Sequence, residues 1–226
     1  MKVNYYGHSC FSVEAGGKTL LFDPFITGNA LAKNVDATRI AADFILVSHG
    51  HDDHTGDAVD IAKRTGATVL ANYEVALWLN VHGATNIHPM NHGGGFNFPF
   101  GRVKFVNAVH SSTMPDGANG GHPGGFVVET ADGNFYYSGD TALTLDMKLI
   151  GEATKLKFAA LCIGDNFTMG AADAVKAAEF IRCKEILGVH YDTFPPIQID
   201  HEAAKKTFQA AGCTLHLLRP GESRAF

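Results

Sequence analysis

Residues 49–57, HGHDDHTGD, gather three histidines and three aspartates in nine positions, one residue beyond the apolar run Phe44–Val47. Local geometry limits how such a stretch can fold. On a helix, His49 and His51 at i and i+2 would face nearly opposite sides. On a continuous strand, His49, His51 and Asp53 would share one face and His54 would turn to the other. A loop is the one local form that aims all four inward, and Gly50 supplies the backbone freedom for it. With a strand-like run before it and a helix-like pattern from Gly56, the segment is predicted to occupy a strand-to-helix turn, where α/β sheets place their sites. A chain with 12 histidines could collect several in a polar loop by chance. The ordered pattern HxHxDH after an apolar strand argues against chance.

The rest of the chain supplies a scaffold for such a turn. KVNYY, CFSVEA, the Gly16-Gly17 turn and TLLF running into Asp23-Pro24 read as an antiparallel meander. From residue 43 the rhythm changes to strand then helix: DFILVSH, a helix over roughly 56–64, strand TVLA, and a helix from Tyr73 towards His82. Strand-rich segments follow in RVKFVNAVH, GFVVET and NFYYSGD, the last two forming a hairpin about Asp132-Gly133. The final third alternates again: a helix over 143–153, FAALCIG, a helix opening near Thr168, EILGVH, a helix between Asp200 and Gly212, and TLHLL closing the chain. Strand-rich and alternating portions thus occur twice. This predicts an α/β fold of two β layers with helices outside, a four-layer αβ/βα sandwich. No Pro- or Ser-rich linker interrupts it, so residues 1–226 are expected to form one domain.

Composition excludes several classes of function. The net charge is 18 − 23 = −5, and Lys63-Arg64 and Lys205-Lys206 are the only adjacent basic pairs. No nucleic-acid groove is expected from this. No apolar run approaches the roughly 20 residues that span a bilayer. Met1-Lys2-Val3 leads straight into a strand pattern without a signal peptide's apolar core, and the expectation is a cytoplasmic protein without a membrane partner. A homo-oligomer is compatible with the sequence. The four cysteines lie far apart in apolar surroundings and read as buried thiols, which leaves metal chemistry to histidine and carboxylate.

Three downstream segments complete the constellation: AVHSS with His110, YYSGDT with Asp140 and GVHYDT with His190, each candidate ligand ending an apolar strand-like run. The chain resembles the metallo-β-lactamase superfamily, whose motifs match these segments in order over nearly the full length. GHSCF, DPF, HGHDDH, HSS, SGDT and HYDTFP are similar to the small, stand-alone bacterial metal-dependent hydrolases related to ascorbate-phosphate lactonases. The resemblance implies a four-layer metallo-β-lactamase-like sandwich and a dinuclear site, with His49, His51 and His110 on one ion, Asp53, His54 and His190 on the other, and Asp140 bridging. Imidazole and carboxylate suit zinc, the first choice, or manganese or iron. Five neutral histidines and two carboxylates contribute −2 against +4 from two divalent ions, and one bridging hydroxide leaves about +1. The implied reaction is attack by a dinuclear-metal-bound hydroxide on an ester, lactone or phosphoester of a small, anionic substrate.

Alternatives remain open at this stage. A ribonuclease or phosphodiesterase of the same fold is one, although the acidic balance disfavours RNA. A non-enzymatic metal-binding protein and a di-iron redox protein are others. Redox relatives carry a glutamate where His51 stands and a flavodoxin-like domain, and this chain has neither.

Around the ligands, Asp53 doubles as a catalytic candidate for proton transfer, and His8 is a second one, contacting substrate or a metal-bound water. Asp23 is expected to orient a ligand loop through hydrogen bonds. Asp52 reads as a helix cap or as a partner for a histidine. Tyr191 and Thr193 are candidate donors to a substrate oxygen, residues 115–125 with His122 a candidate lid, and the Thr168–Gly170 helix start a candidate anion site. His92-Gly93-Gly94-Gly95 imitates an esterase oxyanion loop, but no GxSxG elbow accompanies it. Gly17-Lys18-Thr19 imitates a P-loop ending but has Ser12 at the required first glycine.

Overall fold

Period-two alternation in the first residues builds three antiparallel strands, β1 (Lys2–Gly7), β2 (Cys10–Ala15) and β3 (Lys18–Phe22). In the computed structural model, which describes residues 1–226, strands β4 (Phe44–Leu46), β5 (Thr68–Asn72) and β6 (Ile87–Met90) extend this sheet in parallel. Helices α1 (Asp52–Thr55), α2 (Ala58–Thr65) and α3 (Tyr73–Val81) form the crossovers. The second sheet repeats the plan. Strands β7 (Gly95–Phe98), β8 (Gly101–Asn107), β9 (Gly124–Thr130) and β10 (Gly133–Tyr137) pair antiparallel. Strands β11 (Phe158–Cys162), β12 (Glu185–Val189) and β13 (Thr214–His216) then add in parallel. Their crossovers carry α4 (Met147–Ala153), α5 (Ala171–Phe180) and α6 (His201–Ala210).

The chain does not close at TLHLL. It continues to β14 (Ser223–Ala225), which returns to the first sheet and pairs with β1. The strand orders are therefore 14-1-2-3-4-5-6 and 7-8-9-10-11-12-13, each with three antiparallel and then three parallel pairings. Three-residue β14 and Pro-containing β6 are too short and irregular to read from periodicity.

Side-chain parity divides the interior into three layers. Leu20, Phe22, Phe44 and Leu46 point between the sheets, into a 22-residue cluster that also holds Phe105, Phe126, Phe135 and Phe158. Phe11 stacks on Phe22 at 4.6 Å, and Phe135 on Phe158 at 5.0 Å. Their neighbours Leu21 and Ile45 point outward, to a 19-residue cluster with Ile61, Ala62, Val75 and Leu79 of α2 and α3. The second sheet's outer face meets α4, α5 and α6 in a 20-residue cluster. Each such Leu or Phe contributes about 1.5–3 kcal/mol on burial. The four-layer α/β architecture is thus as expected. All four cysteines are free and buried in the two outer clusters. Burial pushes the Cys162 and Cys183 thiols up to about 11, which keeps them protonated near neutral pH. No helix is long and apolar enough to cross a membrane.

Strand direction decides where the site lies. β1, β3 and β4 run parallel to one another, so the residues following them, His8, Asp23 and His49, emerge at one edge of the first sheet. β8, β10 and β12 are likewise co-directional, and His110, Asp140 and His190 follow their ends in the second.

Candidate metal centre

The loop from β4 carries His49 and Gly50, and the helix begins sooner than the sequence suggests. His51 is the N-cap of α1, and Asp53 and His54 already belong to that single turn. A short helix, not a loop alone, therefore delivers two of the four side chains. Gly50 is needed for close approach: a Cβ there would lie 2.4 Å from Met114 Sδ. Asp52 is exposed in the first turn of α1 and makes neither the capping bond nor the histidine contact expected of it.

Two donor groups meet at the edge. His49, His51 and His110 form one, and His8, Asp53, His54 and His190 the other, with the potential ligand atoms of each group within 4.8 Å of one another. Asp140, 2% exposed, lies between them. Its Oδ2 is 2.8 Å from His190 Nε2, 3.2 Å from His54 Nε2 and 3.7 Å from His110 Nε2. The seven residues of the expected ligand set are thus brought together by four loops and α1.

Asp23 ties the two groups together, forming a third cluster with His49 of one and His54 of the other. This fully buried carboxylate accepts from Ser48 N–H (2.7 Å), Ser48 Oγ (2.5 Å), Tyr137 OH (2.5 Å) and His54 Nδ1 (2.6 Å). Because Ser48 Oγ spends its proton on Asp23, it accepts from His49 Nδ1 at 2.9 Å. Both histidines therefore carry a proton on Nδ1 and turn Nε2 to the site, the arrangement that orients metal-binding imidazoles elsewhere. His54 Nε2 and Asp140 Oδ1 are buried and have no hydrogen-bond partner. Orphaned buried polar atoms are costly unless something else satisfies them. His49 Nε2 and His51 Nδ1 lie 2.9 Å apart, close to the roughly 3.3 Å between two nitrogens on a tetrahedral zinc. The donor set fits borderline divalent ions.

Electrostatics follow from the crowding. Burial, reinforced by the charge of His54, lowers the His49 pKa well below the ordinary histidine range. Burial would also lower His54, but the carboxylates of Asp140, Asp23 and Asp53 overturn it and raise that pKa. Burial would raise Asp140 and Asp53, yet neighbouring histidines hold both well below the usual carboxylate range.

His8 lies on the turn after β1 with its side chain wholly buried. Its Nε2 is 3.0 Å from Asp53 Oδ2 and its Nδ1 is 2.9 Å from Thr193 Oγ1. Burial lowers its pKa to about 4 despite the hydrogen bond with Asp53. Tyr191 OH donates to the Leu218 carbonyl. Residues 115–125 are held down: Asn72 Nδ2 donates to the carbonyls of Gly120 and His122, Ser112 Oγ to Gly120, and Trp78 Nε1 to Asp116. His122 is exposed there and belongs to neither donor group.

Sequence reasoning missed Ser48, Tyr137 and Asp57. Asp57, 6% exposed, accepts from the N–H groups of Ile26 and Thr27 and from Thr27 Oγ1, tying the loop after β3 to α2. The parity of Tyr137 with Phe135 was the one signal of an inward hydroxyl.

The description beta-lactamase superfamily domain belongs to the family model that matches residues 2–190. Two proteins named UPF0173 metal-dependent hydrolase, from Christiangramia forsetii and Methylacidiphilum infernorum, are 54% and 51% identical to it over 224 and 223 residues, 99% of each chain. Among solved structures, Igni18, described as a novel metallo hydrolase from the archaeon Ignicoccus hospitalis, matches with TM-score 0.89 and 32% identity over 100% of this chain and 98% of its own. An isothiocyanate hydrolase from Delia radicum gut bacteria, 18% identical with TM-score 0.81 over 100% of this chain and 99% of its own, shares the fold. Matches of this extent, on two sheets that deliver histidines and aspartates to one edge, show that the chain belongs to the metallo-β-lactamase superfamily and, within it, to the UPF0173 metal-dependent hydrolases.

Proposed function

We propose that the protein hydrolyses an ester, lactone or phosphoester bond of a small molecule bearing a negative charge, using two divalent metal ions. Zinc is the first choice, with manganese or iron as alternatives. His49, His51 and His110 would hold one ion, Asp53, His54 and His190 the other, and Asp140 would be shared. The observation that carries this reading is the buried Asp140 carboxylate set between two donor groups, with its Oδ2 facing histidines of both and its Oδ1 left without a partner. Bound there, the ions would supply Lewis acidity at the scissile carbonyl or phosphoryl and bring the pKa of a water to about 7.

The chain's own residues have distinct tasks in this reading. Asp53 is 26% exposed at its side chain, so its carboxylate is reached from solvent and is placed to take and return a proton at the oxygen that His8 does not hold. Asp140, His49 and His54 are sealed from solvent. His51 and His110 are partly exposed and mark the side from which substrate enters. Asp23 changes the charge count. Three buried or half-buried carboxylates contribute −3 against +4, leaving +1 before any hydroxide is counted. The hydroxide of the proposed reaction brings this to 0, so the balance argues against a polyanion and supports at most a single negative charge on the substrate.

Elemental analysis of protein loaded to saturation is expected to give two metal ions per chain, and one or none would overturn the dinuclear assignment. On a panel of lactones, thioesters and phosphodiesters, Asp140→Ala is expected to lose more than about 100-fold in kcat/KM, beyond the range for residues that only orient a ligand. Unchanged turnover in that variant would refute the proposed site.

A further inference from the structure

We propose that Thr193 is a positioning residue that fixes the tautomer of His8 and thereby makes His8 a hydrogen-bond donor to Asp53, not a metal ligand. The hydrogen-bond chain has one consistent direction. Asp53 is a carboxylate and only accepts, so the 3.0 Å contact from Oδ2 requires the imidazole proton on Nε2. His8 Nδ1 then carries a lone pair, and Thr193 Oγ1 at 2.9 Å must donate to it. The Thr193 hydroxyl also approaches the Tyr191 carbonyl, at 3.4 Å. The contact with His8 is shorter by 0.5 Å, and the hydroxyl proton therefore goes to His8.

The ring has little freedom to choose otherwise. It packs at 4.3 Å on His190 and edge-on against Phe25 and Phe194 at 5.7 and 5.6 Å. Its main chain is held in the left-handed region (φ +55), with the carbonyl accepting from Tyr5 OH and from His190 N–H. Thr193 reaches it from the loop after β12, where His190 and Asp192 are also left-handed. Non-glycine residues in that region persist only where their surroundings over-determine them. The relay therefore joins α1 and the β1–β2 turn of the first sheet to a loop of the second.

The consequence is a choice between two chemistries. His8 belongs to the same donor group as Asp53, His54 and His190, and with its proton on Nδ1 it would offer a lone pair to an ion there. With its proton on Nε2 it has none to offer and instead fixes the Asp53 carboxylate. The tautomer stands on geometry alone, whereas its effect on metal rests on the reading above.

The test uses metal-free, histidine-15N-labelled protein and long-range 1H–15N correlation. Wild-type His8 is expected to be protonated at Nε2 and bare at Nδ1. Thr193→Val should abolish the single tautomer and weaken Zn2+ binding, measured by chelator competition, about 10-fold or more, with Thr193→Ser restoring both. His8 protonated at Nδ1, or at both nitrogens, in the wild type overturns the proposal by itself, even if Thr193→Val fails to fold. So does a Thr193→Val protein with wild-type tautomer and wild-type Zn2+ affinity. None of these readouts depends on turnover, so a protein inactive on every ester would leave the result intact.

Discussion

Asp23 shows how much of this site rests on residues that never reach the cleft. Its carboxylate satisfies four buried donors, and hydrogen bonds to a charged group are worth about 1.5–3 kcal/mol each in mutational series, although those of one network do not add. Asp23→Ala strands those donors and frees His54 to rotate. The expected result is a loss of about 3 kcal/mol or more in urea denaturation with an unchanged m value, together with 10-fold to 100-fold weaker metal binding. A variant as stable as the wild type would show that Asp23 is not the anchor. The sequence marked Asp23 through its place in FDPF. It did not mark Ser48 or Tyr137, because their tasks exist only once residues 25 and 114 positions along the chain from Asp23 are brought beside it.

At the scale of elements, the long strands and the ends of α3 and α6 were legible, and the short strands β6, β7 and β14 and the starts of α4 and α5 were not. The apolar runs of β3, β4, β11 and β12 stand out because both their faces are buried. The four-residue α1 was hidden, since a single turn has no period to read and tertiary contacts hold it. Helix α3 shows a terminus with two duties. Asn72 Oδ1 accepts from Val75 N–H as the N-cap, while its Nδ2 holds the 115–125 segment through Gly120 and His122. Asn72→Ala should cost about 1 kcal/mol for the cap and about 1 kcal/mol more for each tether. Trp78, the sole tryptophan, donates to Asp116 in that segment and should report the release as a change in emission. Asn72→Ser, which restores only the cap, should recover stability in part and leave the emission altered. Full recovery of both would remove the tethering role.

The whole molecule is two copies of one plan facing each other across a shared apolar layer. Residues of both sheets contribute to the 22-residue cluster, and β14 crosses back so that Phe226 stacks on Phe158 at 4.4 Å. We propose that residues 1–226 behave as one cooperative unit, since neither sheet could keep its inner face dry alone. Urea unfolding followed by Trp78 emission, a probe in the first half, should coincide with unfolding followed by far-UV circular dichroism. Two separated transitions would show independent units.

The order of elements, the doubling of the plan and the identity of the candidate ligands could be read from the chain, because periodicity and residue chemistry are local properties. HGHDDH, His110, Asp140 and His190 announced themselves by type and by position after apolar runs. What only the tertiary structure decided is how those side chains are held: which nitrogen of His49 and His54 faces the site, that His8 meets Asp53 and Thr193, and that Asp23 adds a third carboxylate. Hydrogen-bond direction depends on which groups meet after folding has removed water. That pairing is a property of packed neighbours, and residues distant in sequence carry no local record of it.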